Sequence, residues 1–325
     1  MQNLRYVEMR HRGLVYVSGE DAQSFLQSLI SNDMGLVDHD TGIYASLLTP
    51  QGKYLHDLFV CEGGPGVAYV DHADERDDDA GAEQHYLVEA DRAADLAKRL
   101  TMYKLRAKVS VEVLADWKVV ALFGADLYDA PGMRRVAGDT RELGQAGTGG
   151  RRMTDPRCPS AGVRCYLPAG GVETAMAELK AEPGALADFD QTRICLGLPD
   201  GCRDIEPEKS TLLEHGFDRV GGISWTKGCY VGQEVTARMK YRNLGKKRLF
   251  VVDLEGSAPA KGTAVTLAGK SVGELRTSVP GIGLAMLRLD AIEQYRLKGG
   301  DFVAGSTHVM PRLDETEEDL AANVG

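Results

Sequence analysis

The chain has 325 residues, 43% of them apolar, which supplies cores for two or three domains and excludes a polar, unfolded chain. Forty-eight acidic against 38 basic residues leave a net charge of -10, which argues against a general nucleic-acid or anionic-membrane surface. Its six cysteines are scattered, with no C-x-x-C pair and no Cys/His set at zinc spacing, as in a reduced compartment. The start, Met1 to Arg12, mixes Arg5, Glu8, Arg10 and His11 with short apolar residues and lacks a signal-peptide core. No apolar run approaches the ~20 residues of a membrane helix. The expectation is a soluble, cytoplasmic protein.

Leu14 to Val17 predicts a strand, and Ser18 with Asp21 resembles a capping box ahead of a helix carrying Ala22, Phe25, Leu26, Leu29 and Ile30. Asn32 follows either as a plain C-cap or as a polar group projecting toward a ligand. Ile43 to Leu48 and Tyr54 to Cys61 predict a hairpin around Thr49-Pro50-Gln51-Gly52-Lys53. Asp57 lies inside its second strand, on a solvated face or, if that face lines a cavity, as an anchor for a ligand amine. A strand at Val67 to Val70 precedes an acidic loop, Asp71 to Asp79.

Strands at Tyr86 to Val88, Val109 to Leu114 and Val119 to Phe123 flank a helix over Asp91 to Leu100 and the stretch Met102 to Lys108, which carries Tyr103 and Arg106. Single helices alternating with paired strands predict an α+β fold, and no G-x-G-x-x-G or Walker pattern follows a strand. Gly138 to Gly150 reads as a surface connection between two halves. Arg157 and Arg164 present forked guanidiniums that bind a carboxylate or phosphate, or pair with acids of the fold. Helices are predicted over Val172 to Lys180 and Ala185 to Leu196. Asp200 to Thr226 has little periodicity and reads as a functional loop.

That loop delivers the chain to Lys227-Gly228-Cys229-Tyr230-Val231-Gly232-Gln233-Glu234. Val231, Val235 and Met239 recur every fourth residue, so a helix starts near Gly232, with Glu234 in its first turn and Arg238, Lys240 and Arg242 toward its end. Cys229, ahead of the positive helix end and two residues from Lys227, reads as a thiolate ligand or nucleophile, the alternative being a small buried hydrophobe. Beyond Gly245, short strands at Arg248 to Leu254, Thr263 to Leu267, Val272 to Arg276, Leu284 to Leu289 and His308 to Leu313 predict a small antiparallel barrel, and an acidic tail follows.

The octapeptide resembles the K-G-C-Y-x-G-Q-E signature of the YgfZ family, folate-binding relatives of the glycine-cleavage T-protein. Asp155-Pro156-Arg157 with Gly162 and Arg164, and Arg193 with Leu196-Gly197-Leu198-Pro199, are similar to two further family segments. The resemblance implies a T-protein-like ring: a two-part folate-binding body over residues 1–245, a C-terminal antiparallel β-barrel over 246–313 and a tail over 314–325. It also implies tetrahydrofolate binding and support of iron-sulfur cluster assembly or repair in client enzymes. Cys229 would share a transient [2Fe-2S] cluster with an A-type scaffold partner, because one cysteine cannot complete a cluster's ligand set.

For the pterin and its glutamate tail the resemblance and the chemistry of an acid, an aromatic and cations together leave Asn32, Asp57, Tyr103, Arg106, Arg157, Arg164, Glu214 and Trp225 as candidates. The T-protein's paired aspartates read His56-Asp57 here, and its G-Y-T-G-E motif is absent, so an accessory factor is expected ahead of an enzyme. A folate-dependent aminomethyltransferase or demethylase is the alternative, with Asp57 as its carboxylate. An RNA-binding role in tRNA modification would need a basic patch that the overall charge does not advertise.

Overall fold

Alternating apolar positions become two open sheets and a closed barrel in the computed structural model, which describes residues 3–67, 83–143, 150–242 and 244–313. One compact unit comprises Met1–Leu48, His56–Gly184 and Gly221–Val231. Its strands are β1 (Arg5–Glu8), β2 (Gly13–Gly19), β3 (Ile43–Leu48), β4 (Tyr54–Glu62), β5 (Gln84–Ala90), β6 (Ser110–Val113), β7 (Trp117–Phe123), β8 (Thr140–Glu142), β9 (Arg151–Thr154), β10 (Val163–Pro168) and β11 (Glu182–Pro183). They form a six-stranded sheet in the order β11-β1-β7-β10-β9-β8 and a five-stranded sheet in the order β3-β4-β5-β2-β6. Both faces of β3 and β4 are buried, which explains their nearly continuous apolar sequence. Helices α1 (Ala22–Leu29) and α2 (Ala93–Lys104) both pack on β2 and β5.

The expected strands and helices of this unit are present, with informative departures. The capping box is not formed: Asp21 is the N-cap of α1 without a side-chain cap bond, because its carboxylate accepts from the Lys108 amide at 2.8 Å. Helix α2 runs on through Lys104, so Tyr103 is helical. The stretch 138–150 is more than a surface connection, since β8 lies within it and pairs with β9. Its residues 144–149, like the strand and acidic loop expected over Val67 to Asp79, fall wholly or mostly outside the described residues. Helix α3 (Val172–Glu178) completes the unit.

The second unit comprises Thr49–Leu55, Ala185–Val220 and Gly232–Gly325. It contains α4 (Leu186–Cys195), α5 (Gly201–Asp204) and α6 (Gln233–Tyr241). Gly232 caps α6 at φ +83°, a left-handed conformation that a side chain would strain. The Thr49–Lys53 turn packs on this helix start: a Cβ on Gly52, itself at φ +70°, would lie 2.7 Å from the Val235 Cβ. The apparently irregular span after Pro199 is held by ion pairs, which leave no periodic trace: Arg193 donates to Asp190 at 2.6 Å and to Asp204 at 2.7 Å, and all three are buried.

The barrel is closed by six antiparallel strands, β12 (Lys247–Glu255), β13 (Ala264–Leu267), β14 (Lys270–Val279), β15 (Ile282–Arg288), β16 (Phe302–Ala304) and β17 (Thr307–Pro311), in the order β12-β15-β14-β13-β16-β17. Val252, Leu275, Leu287 and Phe302 fill its core. Sequence periodicity missed β16, which is three residues long, and α7 (Leu289–Lys298), only two of whose side chains are buried.

His215 is buried in this unit and donates from Nδ1 to the Thr211 carbonyl at 3.1 Å. Burial pulls its pKa down to about 4. A histidine depressed in the folded state contributes fully above its unfolded pKa of ~6.5, and that contribution is lost as pH falls toward 4. The expected loss is roughly 2 kcal/mol by pH 5. Denaturation at pH 7 and pH 5 should show a larger difference for the parent than for His215→Gln, and equal differences would contradict the assignment.

Candidate functional site

The octapeptide begins in a strap, residues 221–231, that is stitched to the C-terminal end of α1. Helix ends leave carbonyls without partners, and here Lys227 supplies them: its Nζ donates to Gln27 O at 2.7 Å, Ile30 O at 2.9 Å and Asn32 O at 2.7 Å. The ammonium also lies 5.3 Å from the Tyr230 ring centroid. Burial pulls its pKa down to about 8, which leaves the charged form dominant at neutral pH. Along the strap, Ser31 Oγ donates to Gly222 O at 2.6 Å, the Ser224 amide to Ser31 O at 3.0 Å and the Val231 amide to Ser28 O at 3.2 Å. Asn32 Nδ2 donates to Tyr44 O and Gly221 O, each at 2.8 Å.

Two sequence expectations are thereby corrected. The Lys227 ammonium is committed to three carbonyls, since a buried helix end requires them satisfied, and it caps α1 instead of serving the Cys229 thiolate. Asn32 is buried and clamps β3 to the strap instead of projecting toward a ligand.

Between the buried anchors Lys227 and Tyr230 the chain turns outward, and Gly228 and Cys229 are exposed. Cys229 is the one exposed cysteine of six; Cys61, Cys165 and Cys195 are buried, and Cys158 and Cys202 are partly so. Burial pushes the Cys61 and Cys165 thiols up to about 12, where they are inert as ligands. The expectation of a small buried cysteine at 229 fails on exposure alone.

Asp57 and the two arginines meet elsewhere, in a buried cluster of three cations and three anions. Arg12 donates to Asp57 at 3.2 Å and, through Nε, to Glu89. Glu89 also accepts from Arg164 Nη1 at 2.5 Å and from the Tyr166 hydroxyl at 2.9 Å. Asp155 receives a two-pronged contact from Arg157, at 3.0 and 2.8 Å. The Arg12, Arg157 and Arg164 guanidiniums surround the Phe59 ring, with centroid distances of 5.3, 4.8 and 3.5 Å. Burial pushes the Asp155 carboxyl up, but Arg157 and Arg164 outweigh it and hold it below its usual range. Of the readings open for Asp57, the solvated face fails, because it is wholly buried. Arg157 and Arg164 pair with acids of the fold. Arg12 and Glu89 were missed, although an acid closing the apolar run Tyr86 to Val88 was a usable signal.

The remaining candidates do not join these. Tyr103 and Arg106 stand exposed at the end of α2 and just beyond it, with no described contact to Asp57, Arg157 or Arg164. Glu214, in the second unit, accepts from the Thr211 hydroxyl at 2.9 Å, and Trp225 is half-buried in the strap. A cavity of about 450 Å³ beside Asn32, lined also by Leu36, Asp38, Ile43, Tyr44 and Pro156, has no lysine or arginine in its wall for a glutamate tail. Within the first unit, Asp57, Arg157 and Arg164 are engaged with one another's cluster partners, and Tyr103 and Arg106 stand apart from them.

Residues 246–316 match the family of the CAF17 C-terminal β-barrel domain. The chain is 32% identical over 307 residues to the mitochondrial iron-sulfur cluster assembly factor IBA57 of Mus musculus, covering 87% of this chain and 77% of the relative. It belongs to the IBA57 family. The Homo sapiens member is 30% identical over 302 residues, with the same coverage of 87% and 77%. The glycine-cleavage aminomethyltransferase T of Bartonella henselae has the same fold, with a TM-score of 0.73 over 98% of this chain and 87% of that one, at 16% identity. The T-protein-like fold with a C-terminal barrel is therefore as expected, while the relatives that decide membership carry the IBA57 name and not that of YgfZ.

These IBA57 proteins are named as mitochondrial, which overturns the cytoplasmic expectation. Composition and unpaired cysteines separate reducing compartments from secretory ones. They carry no information that distinguishes cytosol from the mitochondrial interior.

Proposed function

We propose that this chain supports assembly or repair of iron-sulfur clusters by offering the Cys229 thiolate as one ligand to a [2Fe-2S] cluster. An A-type scaffold protein supplies the other ligands, and client enzymes receive the cluster. The observation that carries this reading is the display of Cys229, exposed between two buried anchors while three of the other cysteines are buried and two half-buried. A [2Fe-2S] cluster needs four protein ligands. Among the described residues no group of three His, Cys, Asp or Glu side chains is placed to hold a metal, which supports the sharing of ligands with a partner. Ligation releases the thiol proton and fixes the cluster at Sγ.

Aminomethyl transfer is the second reading, and it needs a carboxylate available to an amine. Asp57 is turned to Arg12 at 3.2 Å inside the buried cluster, which removes the support for it.

The test is anaerobic titration of the full chain with the cluster-loaded scaffold, followed by visible absorption. The parent should develop a shared-cluster spectrum and Cys229→Ser should not. Because the side chain is exposed, the serine variant should keep its stability within about 0.5 kcal/mol. Full support of iron-sulfur enzymes by Cys229→Ser in a deletion strain would sink the proposal, and loss of activity in Asp57→Asn with a normal spectrum would favour one-carbon transfer.

A further inference from the structure

Between Glu234 and Asp253 the chain carries six cations, Arg238, Lys240, Arg242, Lys246, Lys247 and Arg248, and no acid, although its net charge is -10. The structure gathers them where α6 ends and β12 begins. Backbone bonds from the Arg242 amide to Arg238 O at 3.1 Å and from the Leu244 amide to Met239 O at 3.1 Å hold the chain at the helix end, and the Leu289 amide fixes Lys246 O at 2.9 Å. Five of the cations are exposed, Lys247 being half-buried. Arg238, Arg242, Lys246, Lys247 and Arg248 have no ion pair among the described residues, whereas most other arginines of this unit are paired, among them Arg193, Arg203, Arg276 and Arg288.

The α6 carbonyl end favours its cations and Asp290 pairs Arg288, but like charges still face one another: Arg238 and Arg242 are one helical turn apart, and Lys247 sits directly across from Arg288 in the β12-β15 ladder. Such repulsion is relieved when an anionic surface arrives. Tyr241, 77% exposed, and Leu244, 48% exposed, add apolar area within the strip. Arginine and tyrosine beside an exposed leucine are the side chains that protein interfaces favour. A nucleic acid is less well served. The strip offers a single exposed aromatic for stacking, and the overall charge repels a long polyanion.

We infer that the strip from Arg238 to Arg248 is a docking surface for an acidic face on the protein that brings the cluster. This rests on the proposed function for the identity of that protein, and adds how the two find each other. The carboxylates of the partner meet the arginine forks, and Tyr241 and Leu244 cover apolar area. Steering of this kind raises association rates and is weakened by salt.

The experiment follows association of the full chain with the [2Fe-2S]-loaded A-type scaffold at about 50 and 200 mM salt. In Arg238→Glu/Arg242→Glu/Arg248→Glu the association rate should fall about tenfold or more and lose its salt dependence. The glutamine version of the same triple variant should fall by less, and maleimide labelling of Cys229 should be unchanged in both. Association of the glutamate variant at the parental rate would overturn the inference. So would a short oligouridylate that binds the parent more tightly than the scaffold does and loses that binding in the variant.

Cys229→Ser separates this inference from the reading beneath it. Association at the parental rate without a cluster spectrum supports both. A shared cluster formed by the serine variant refutes the ligand role, and the rate measurements on the strip variants still decide the docking surface.

Discussion

Glu89→Ala should lower the unfolding free energy by roughly 4 kcal/mol, the largest loss expected from one side chain in this protein. Glu89 is the acceptor at which Arg12, Arg164 and Tyr166 converge, and its side chain is wholly buried. Removing it leaves two guanidiniums sealed beside Phe59 with Asp57 and Asp155 alone to balance three cations. The buried pairs contribute little net stability compared with an apolar core, but a broken one exposes the full desolvation cost of the orphaned charge. Urea denaturation should rank stability as parent above Glu89→Gln above Glu89→Ala. A loss under about 1 kcal/mol in the alanine variant would mean that water enters the cluster and screens it.

Lys227→Met should cost about 3 kcal/mol and also abolish cluster transfer while leaving the thiol in place. The methionine retains an apolar stem beside Tyr230, so the loss reports the three carbonyls of Gln27, Ile30 and Asn32 left without a donor. Hydrogen exchange at the Ser224 and Val231 amides, which bond to Ser31 and Ser28, should quicken. Lys227→Arg should not rescue function, because a planar fork cannot reach three carbonyls that converge on one nitrogen. Rescue by arginine would instead indicate that only a positive charge near Cys229 matters, as the sequence alone suggested.

Much of the fold was legible because its signals are periodic: the strands of the barrel, the paired β3 and β4, and the start of α6 after Gly232 follow from alternation, turn residues and four-residue spacing. The octapeptide could be located but not interpreted. Lys227 stands two residues from Cys229 in sequence, yet its partners are 195 to 200 residues away, and proximity in sequence gave it the wrong task. Asp57, Arg157 and Arg164 were likewise found as chemistry-bearing residues, but whether a charge faces a ligand or another charge depends on strands brought together from residues 12 to 164. Half of the basic strip, Arg238, Lys240 and Arg242, was read as the charge bias of a helix end, and the summed charge hid its continuation through Lys246, Lys247 and Arg248.

The strap has a consequence for how the protein is made. It belongs to the first unit but comes after Val220, behind a long stretch of the second. A ribosome must therefore synthesise the chain as far as Val231 before the end of α1 can receive its cap, and the closure of so long a loop is among the slower events of folding. Until then α1 waits with bare carbonyls and the thiol has no fixed position. On the proposed role of Cys229, a chain whose first unit has not closed would hold its thiol without the anchors Lys227 and Tyr230, and cluster ligation would wait on that closure.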